Sequence, residues 1–159
     1  MGFSLKQTKD PELIASIMNM PEIMEKATNQ VAINYSLEIN DRSGWFIGYC
    51  DGRLSGIINA HHVNANTIEI HPYCIHPRSS RTLIKEFYKI CLNYPDQLNK
   101  VICKIPECFK KTVNFARRVG FIDEGYLKES YNRDNKFIGV HVLGITRNEI
   151  EEYLNGRVS

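Results

Sequence analysis

Glu69 and His71 stand one residue apart in Thr67 to Tyr73, a run whose apolar and polar residues alternate. A carboxylate and an imidazole can each take a proton from a reacting group, and histidine titrates near neutral pH. Alternation in a strand puts Glu69, His71 and Tyr73 on one face, with Ile68 and Ile70 on the other. A solvated sheet face shows the same pattern, so the residues alone leave both readings open. His61 and His62 are adjacent at the end of another alternating run. Neighbours on a strand point to opposite faces, so no metal site is expected from that pair, and none elsewhere. The five cysteines, Cys50, Cys74, Cys91, Cys103 and Cys108, are odd in number and form no CxxC. That argues against a disulfide framework and a zinc ribbon and for free thiols in a reducing, cytoplasmic setting, with Cys103 and Cys108 the lesser candidates for a pair.

The elements that would position these groups follow from pattern. Phe3 to Gln7 alternates and reads as a first strand. Asp10-Pro11-Glu12 starts a helix with Leu13, Ile14, Ile17 and Met18 on its apolar face. Pro21 starts a second, short helix with Ile23, Met24 and Ala27. Trp45 to Cys50, the Asp51-Gly52 turn and Leu54 to Ala60 make a hairpin, and Thr67 to Tyr73 is the next strand. Arg81 to Asn93 is an amphipathic helix that stops at Tyr94-Pro95. Lys100 to Ile105 is a strand closed by Pro106, and Phe109, Val113, Ala116 and Val119 mark a helix ended by Gly120. Glu124 to Tyr131 and Lys136 to Ile145 form a last hairpin around Asn132 to Asn135, before a short helix over Asn148 to Asn155.

The order β-α-α-β-β-β-α-β-α-β-β predicts an α+β fold in one domain over 1–159. Its sheet should be mixed, mostly antiparallel and twisted, with helices on both faces. A length of 159 residues suits one core, and 43% apolar with 24% charged residues is ordinary for a soluble protein. The net charge of +2 requires neither a nucleic-acid nor a membrane partner. No run approaches the ~18 apolar residues of a membrane helix, and the first residues show neither a secretion signal nor a full myristoylation context. Between Lys100 and Arg118 six basic residues meet one acid, Glu107. A solvated face explains them. Attraction of phosphates or of an acidic partner is the sharper reading, and no stacking aromatics support nucleic acid.

Asn114-Phe115-Ala116-Arg117-Arg118-Val119-Gly120-Phe121-Ile122-Asp123-Glu124-Gly125 resembles the helix-to-strand junction of the acyl-CoA-dependent N-acetyltransferase (GNAT) superfamily. Ile68-Glu69-Ile70-His71-Pro72-Tyr73-Cys74-Ile75-His76-Pro77-Arg78 looks like its fourth strand and the start of its cofactor loop. The turn Arg133-Asp134-Asn135-Lys136 and the ending Ile145-Thr146-Arg147-Asn148-Glu149 are similar to the ribosomal-protein N-terminal acetyltransferase branch. The element order resembles the GNAT fold over nearly the whole chain. Size and loop also resemble, more loosely, acetyltransferase-like proteins of tailed bacteriophages.

The resemblance implies acetyl-CoA as co-substrate and a primary amine, on a protein or a small molecule, as acceptor by direct attack. It places a general base on the fourth strand, first Glu69 and then His71. It places the pantetheine arm against the backbone of Cys74 and Ile75, beside a strand that Pro72 would suit to bulge. The pyrophosphate would meet Arg78, Ser79, Ser80, Arg81 and Thr82 at a helix start. The sequence departs from the family pattern in two places. The loop Arg78-Ser79-Ser80-Arg81-Thr82-Leu83 lacks the glycines of Arg/Gln-x-x-Gly-x-Gly/Ala, and Ala116 stands where the usual general-acid Tyr would be. The alternative is therefore an inactive GNAT-fold protein used in assembly or protein interaction. Acceptor choice would fall to the helices near 11–28, the loop from Ala27 to Gly44 and the last hairpin. Edge strands leave room for a homodimer.

Overall fold

A computed structural model describes residues 2–27, 43–94 and 97–156. Pro95 and most of the loop between Ala27 and Gly44 lie outside the described residues. Seven strands and five helices are described: β1 (Phe3–Thr8), α1 (Pro11–Met18), α2 (Pro21–Ala27), β2 (Ser43–Cys50), β3 (Arg53–His62), β4 (Thr67–Cys74), α3 (Ser80–Asn93), β5 (Lys100–Pro106), α4 (Lys110–Arg118), β6 (Ile122–Arg133), β7 (Lys136–Thr146) and α5 (Arg147–Leu154). This is the element order expected from pattern, including the short helix at the end. The strands make a mixed sheet in the order β1-β2-β3-β4-β5-β7-β6. The chain sorts into two compact units, residues 1–61 with 70–87 and residues 62–69 with 88–159.

In the first unit β1, β2 and β3 run antiparallel. Asp51 and Gly52 both take positive φ, 50° and 77°, the conformation that matches a two-residue hairpin to strand twist. Asp10 caps α1 by accepting from the amides of Glu12 at 3.0 Å and Leu13 at 3.3 Å. Such a cap is worth about 1 kcal/mol. The apolar faces of α1 and α2 then bury Ile14, Ile17 and Ile23 with Trp45, Ile47 and Ile57 of the strands. Gly48 has no side chain because Leu83 of α3 occupies its place: a Cβ there would lie 2.5 Å from Leu83 Cδ1.

In the second unit β5 pairs antiparallel with β7, and β7 with β6. Thr67, Ile68 and Glu69 of β4 run parallel to Lys100, Val101 and Ile102 of β5. Tyr88 is fully buried, and its hydroxyl donates to the carbonyl of Val119 at 2.7 Å, tying α3 to the end of α4. Burial pushes the Tyr88 phenol far above its ordinary pKa. Thr146 and Glu149 form a capping box that opens α5. Arg147 donates to the carbonyls of Cys91, Leu92 and Leu98, closing the C-terminal end of α3.

The last hairpin is longer than pattern predicts. β6 starts at Ile122 and reaches Arg133, so the turn shrinks to Asp134-Asn135. Both residues sit at positive φ, 51° and 59°, which short polar side chains tolerate. Two irregularities interrupt the β6 register, and Glu129 at φ 51° lies in the second.

Candidate functional site

Glu69 is 7% exposed. A solvated sheet face is therefore wrong for this residue, because alternation assigns a face without saying what covers it. An uncompensated carboxylate at such a position is costly. Lys104 supplies part of the compensation, with Nζ 3.3 Å from Glu69 Oε1. Lys104 itself is 44% exposed, so the pair reaches from interior to surface.

His71 follows on the same strand and is half-buried. Its ring stacks on that of His61 from β3, with centroids 5.5 Å apart and planes 10° from parallel. His62 does turn away from its neighbour, as adjacency on a strand predicts. Its Nδ1 lies 3.3 Å from the Asn64 carbonyl, and its ring lies 6.0 Å from that of Tyr94. The histidine that His61 meets is thus His71, 10 positions on, and no local spacing signals that meeting.

Cys74 ends β4 and is half-buried. The Ile75 amide donates to the Ser55 carbonyl at 2.9 Å, and the His76 amide to the same oxygen at 3.2 Å. What Ile75 can offer an extended ligand is therefore its carbonyl, since the amide is taken. Gly56 makes this approach of β3 to β4 feasible, as a Cβ there would fall 2.5 Å from the Tyr73 carbonyl oxygen.

The serines after Arg78 face inward. Ser79 is 3% and Ser80 6% exposed. The two hydroxyls of Ser79 and Ser55 are hydrogen-bonded, and Ser80 Oγ donates to the His76 carbonyl at 3.0 Å. The resemblance implied a phosphate for these serines; their hydroxyls are bonded within the fold, to Ser55 of β3 and to the His76 carbonyl. The first helical turn of α3 is closed by the Leu83 amide on the Ser79 carbonyl at 2.9 Å. The amides of Ser80, Arg81 and Thr82 precede that bond and are the orphan donors of a helix start. Arg78 and Arg81 are exposed, and Thr82 is half-buried. Ala116 is buried in the face of α4, so the place of the missing Tyr is filled by core.

Within the second unit lies a group that sequence reading missed. Glu107 accepts from the Tyr126 hydroxyl at 2.7 Å and from the Gly139 amide at 3.0 Å. The Tyr126 bond holds the Glu107 carboxyl below its usual range, and the same bond raises the Tyr126 phenol. Tyr126 meets His141 edge-to-face at 5.5 Å. Arg117 grips Asp123 with two bonds, 2.8 Å and 3.0 Å, which lower the Asp123 pKa. A recess of about 520 Å³ opens beside Glu107, Cys108, Asn114, Arg117 and His141. The one available signal was Glu107 as the sole acid in a basic stretch. Three of the six basic residues there are ion-paired: Lys100 with Glu124, Lys104 with Glu69 and Arg117 with Asp123. That weakens a phosphate-seeking or acid-seeking role for the stretch as a whole.

No family model and no curated protein matches this sequence. Solved structures match it in fold. A spermidine N-acetyltransferase SpeG chimera from Vibrio cholerae and hSSAT superposes with a TM-score of 0.76 at 17% identity, covering 93% of this chain and 99% of that one. Spermidine N-acetyltransferase from Vibrio cholerae in complex with CoA and spermine gives 0.69 at 17%, over 94% and 98%. An acetyltransferase of the GNAT family from Streptococcus pneumoniae gives 0.69 at 15%, over 91% and 99%. At these identities what is shared is the fold: this chain has the α+β fold of GNAT acetyltransferases.

Proposed function

We propose that this protein is an N-acyltransferase that moves an acetyl group from acetyl-CoA to a primary amine. The observation that carries the reading is Glu69: a buried carboxylate, ion-paired to Lys104, on the strand that also holds His71. As the amine nitrogen bonds to the thioester carbonyl carbon, its proton passes to Glu69, directly or through water. The carbon–sulfur bond breaks and the departing thiolate takes a proton from solvent, since Ala116 has none to give. His71 is the second candidate for the base.

The residues fit the co-substrate in part. The orphan amides at the start of α3, with Arg78 and Arg81, suit a pyrophosphate. Cys74 and the Ile75 carbonyl suit an extended arm. The inward hydroxyls of Ser79 and Ser80 contribute shape alone. The fold likeness to an enzyme holding CoA and spermine supports an amine acceptor.

The decisive experiment is thermal unfolding with and without acetyl-CoA. A specific binder gains about 2.7 kcal/mol at a hundredfold excess over its dissociation constant. No shift at millimolar acetyl-CoA sinks the enzyme reading. It would leave the second one, a non-catalytic GNAT-fold protein used in assembly. The buried loop serines and Ala116 favour that reading, and so do the exposed Ile122, Tyr126, Leu127 and Phe137 on β6 and β7.

A further inference from the structure

We propose that His61 and His71 form a binding site for a divalent transition metal of the zinc class. The proposal stands on the side chains and does not depend on acetyl transfer. A ring nitrogen of His61 and one of His71 lie within 4.8 Å of each other. Two imidazole nitrogens bound tetrahedrally at ~2.0–2.1 Å from one zinc ion stand roughly 3.3 Å apart. Rotation about the side-chain bonds covers that difference, so the strands can keep their register.

Two features favour a metal over a plain stacked pair. Both histidines are half-buried on neighbouring strands, so each has lost much of its rotamer freedom before an ion arrives. The rings are near parallel at 10°, so their edges can be turned to a common point. Two imidazoles are a donor pair for zinc, cobalt or nickel, with open positions left for water. A hard ion such as magnesium would gain little from the nitrogens.

The consequence for the proposed reaction is inhibition. His71 cannot accept a proton while its lone pair is on an ion. Metal would then lower turnover, and a chelator would restore it.

The direct test is cobalt(II) added to metal-free protein, read by visible absorption. A saturable band at stoichiometric metal, displaced by zinc, is expected. His61→Gln and His71→Gln should each weaken binding by about tenfold or more, as loss of even an outer-shell partner costs 10–100-fold. Circular dichroism of the metal-free variants shows whether they fold. A second readout needs no variant: histidine-nitrogen NMR of the native protein during zinc addition. Shifts should be confined to His61 and His71 among the five histidines. The absence of a saturable band overturns the site. So does undiminished binding by folded His61→Gln, or a zinc response at His62, His76 or His141. Failure of acetyl-CoA to bind would leave the metal result untouched.

Discussion

Gly56 stands so close to Tyr73 that a Cβ on the first would fall 2.5 Å from the carbonyl oxygen of the second. The same Cβ would lie 2.9 Å from Leu83 Cδ2 and 3.2 Å from Cys74 Cα. Two of these neighbours are backbone and cannot rotate away. Gly56→Ala should therefore destabilise the protein by about 1–3 kcal/mol, the usual cost of overpacking. Gly52→Ala is the control. Nothing lies within 4 Å of that position, so only its φ of +77° is penalised, at about 1–2 kcal/mol. Urea midpoints of the two variants check both losses; no measurable loss for Gly56→Ala would contradict the packing account.

Glu69→Gln keeps the shape of the side chain and removes the base. Turnover should fall by about 10²–10⁴-fold while the thermal shift with acetyl-CoA is retained. Single-turnover assays beside melting curves separate the two effects. Unchanged turnover would take Glu69 out of the role and leave His71 to be tested.

Tyr88→Phe removes one buried hydroxyl and leaves the Val119 carbonyl without that donor. A loss of about 1–3 kcal/mol is expected on denaturation. The variant should fold, since the ring contacts of Tyr88 with Phe121 and Tyr153 persist.

Thiol chemistry should divide the cysteines. Burial pushes the thiols of Cys91 and Cys103 up to about 12, so almost none is thiolate near neutral pH. Cys108 is exposed. Under native conditions a thiol-specific reagent should label Cys108 first, with Cys91 and Cys103 reacting only on unfolding; peptide mapping reads the order.

Acid should loosen the junction of α4 and β6. Arg117 holds the Asp123 carboxyl below its ordinary value. A depressed carboxylate contributes stability above its unfolded pKa of about 4 and loses it as pH falls through the folded value. The pair is well exposed, so solvent screens the effect and the loss should be small. Stability measured from neutral pH downward should fall less steeply for Asp123→Asn than for the native protein. Parallel curves would remove Asp123 from the acid response.

Pattern revealed the elements and hid the partnerships. Asp10-Pro11, Asp51-Gly52 and Gly120 punctuate the chain where their backbone chemistry demands. Those demands are local, and so they are legible. The burial of Glu69 was not, because period-two alternation is the same whichever face is covered. The inward turn of Ser79 and Ser80 depends on Ser55 and His76, and the first lies 24 positions away. His61 beside His71 and Glu107 beside Tyr126 are likewise facts of strand pairing, which sequence spacing does not encode.

Arg147 has a consequence for the order in which the chain can assemble. Its guanidinium holds the Leu92 carbonyl, a residue made 55 positions earlier. During synthesis the end of α3 must wait for that guanidinium to leave the ribosome. The helix can form early from its own sequence, but its last turn is sealed late. A chain ending before residue 147 would lack these bonds and leave that helix end unsealed.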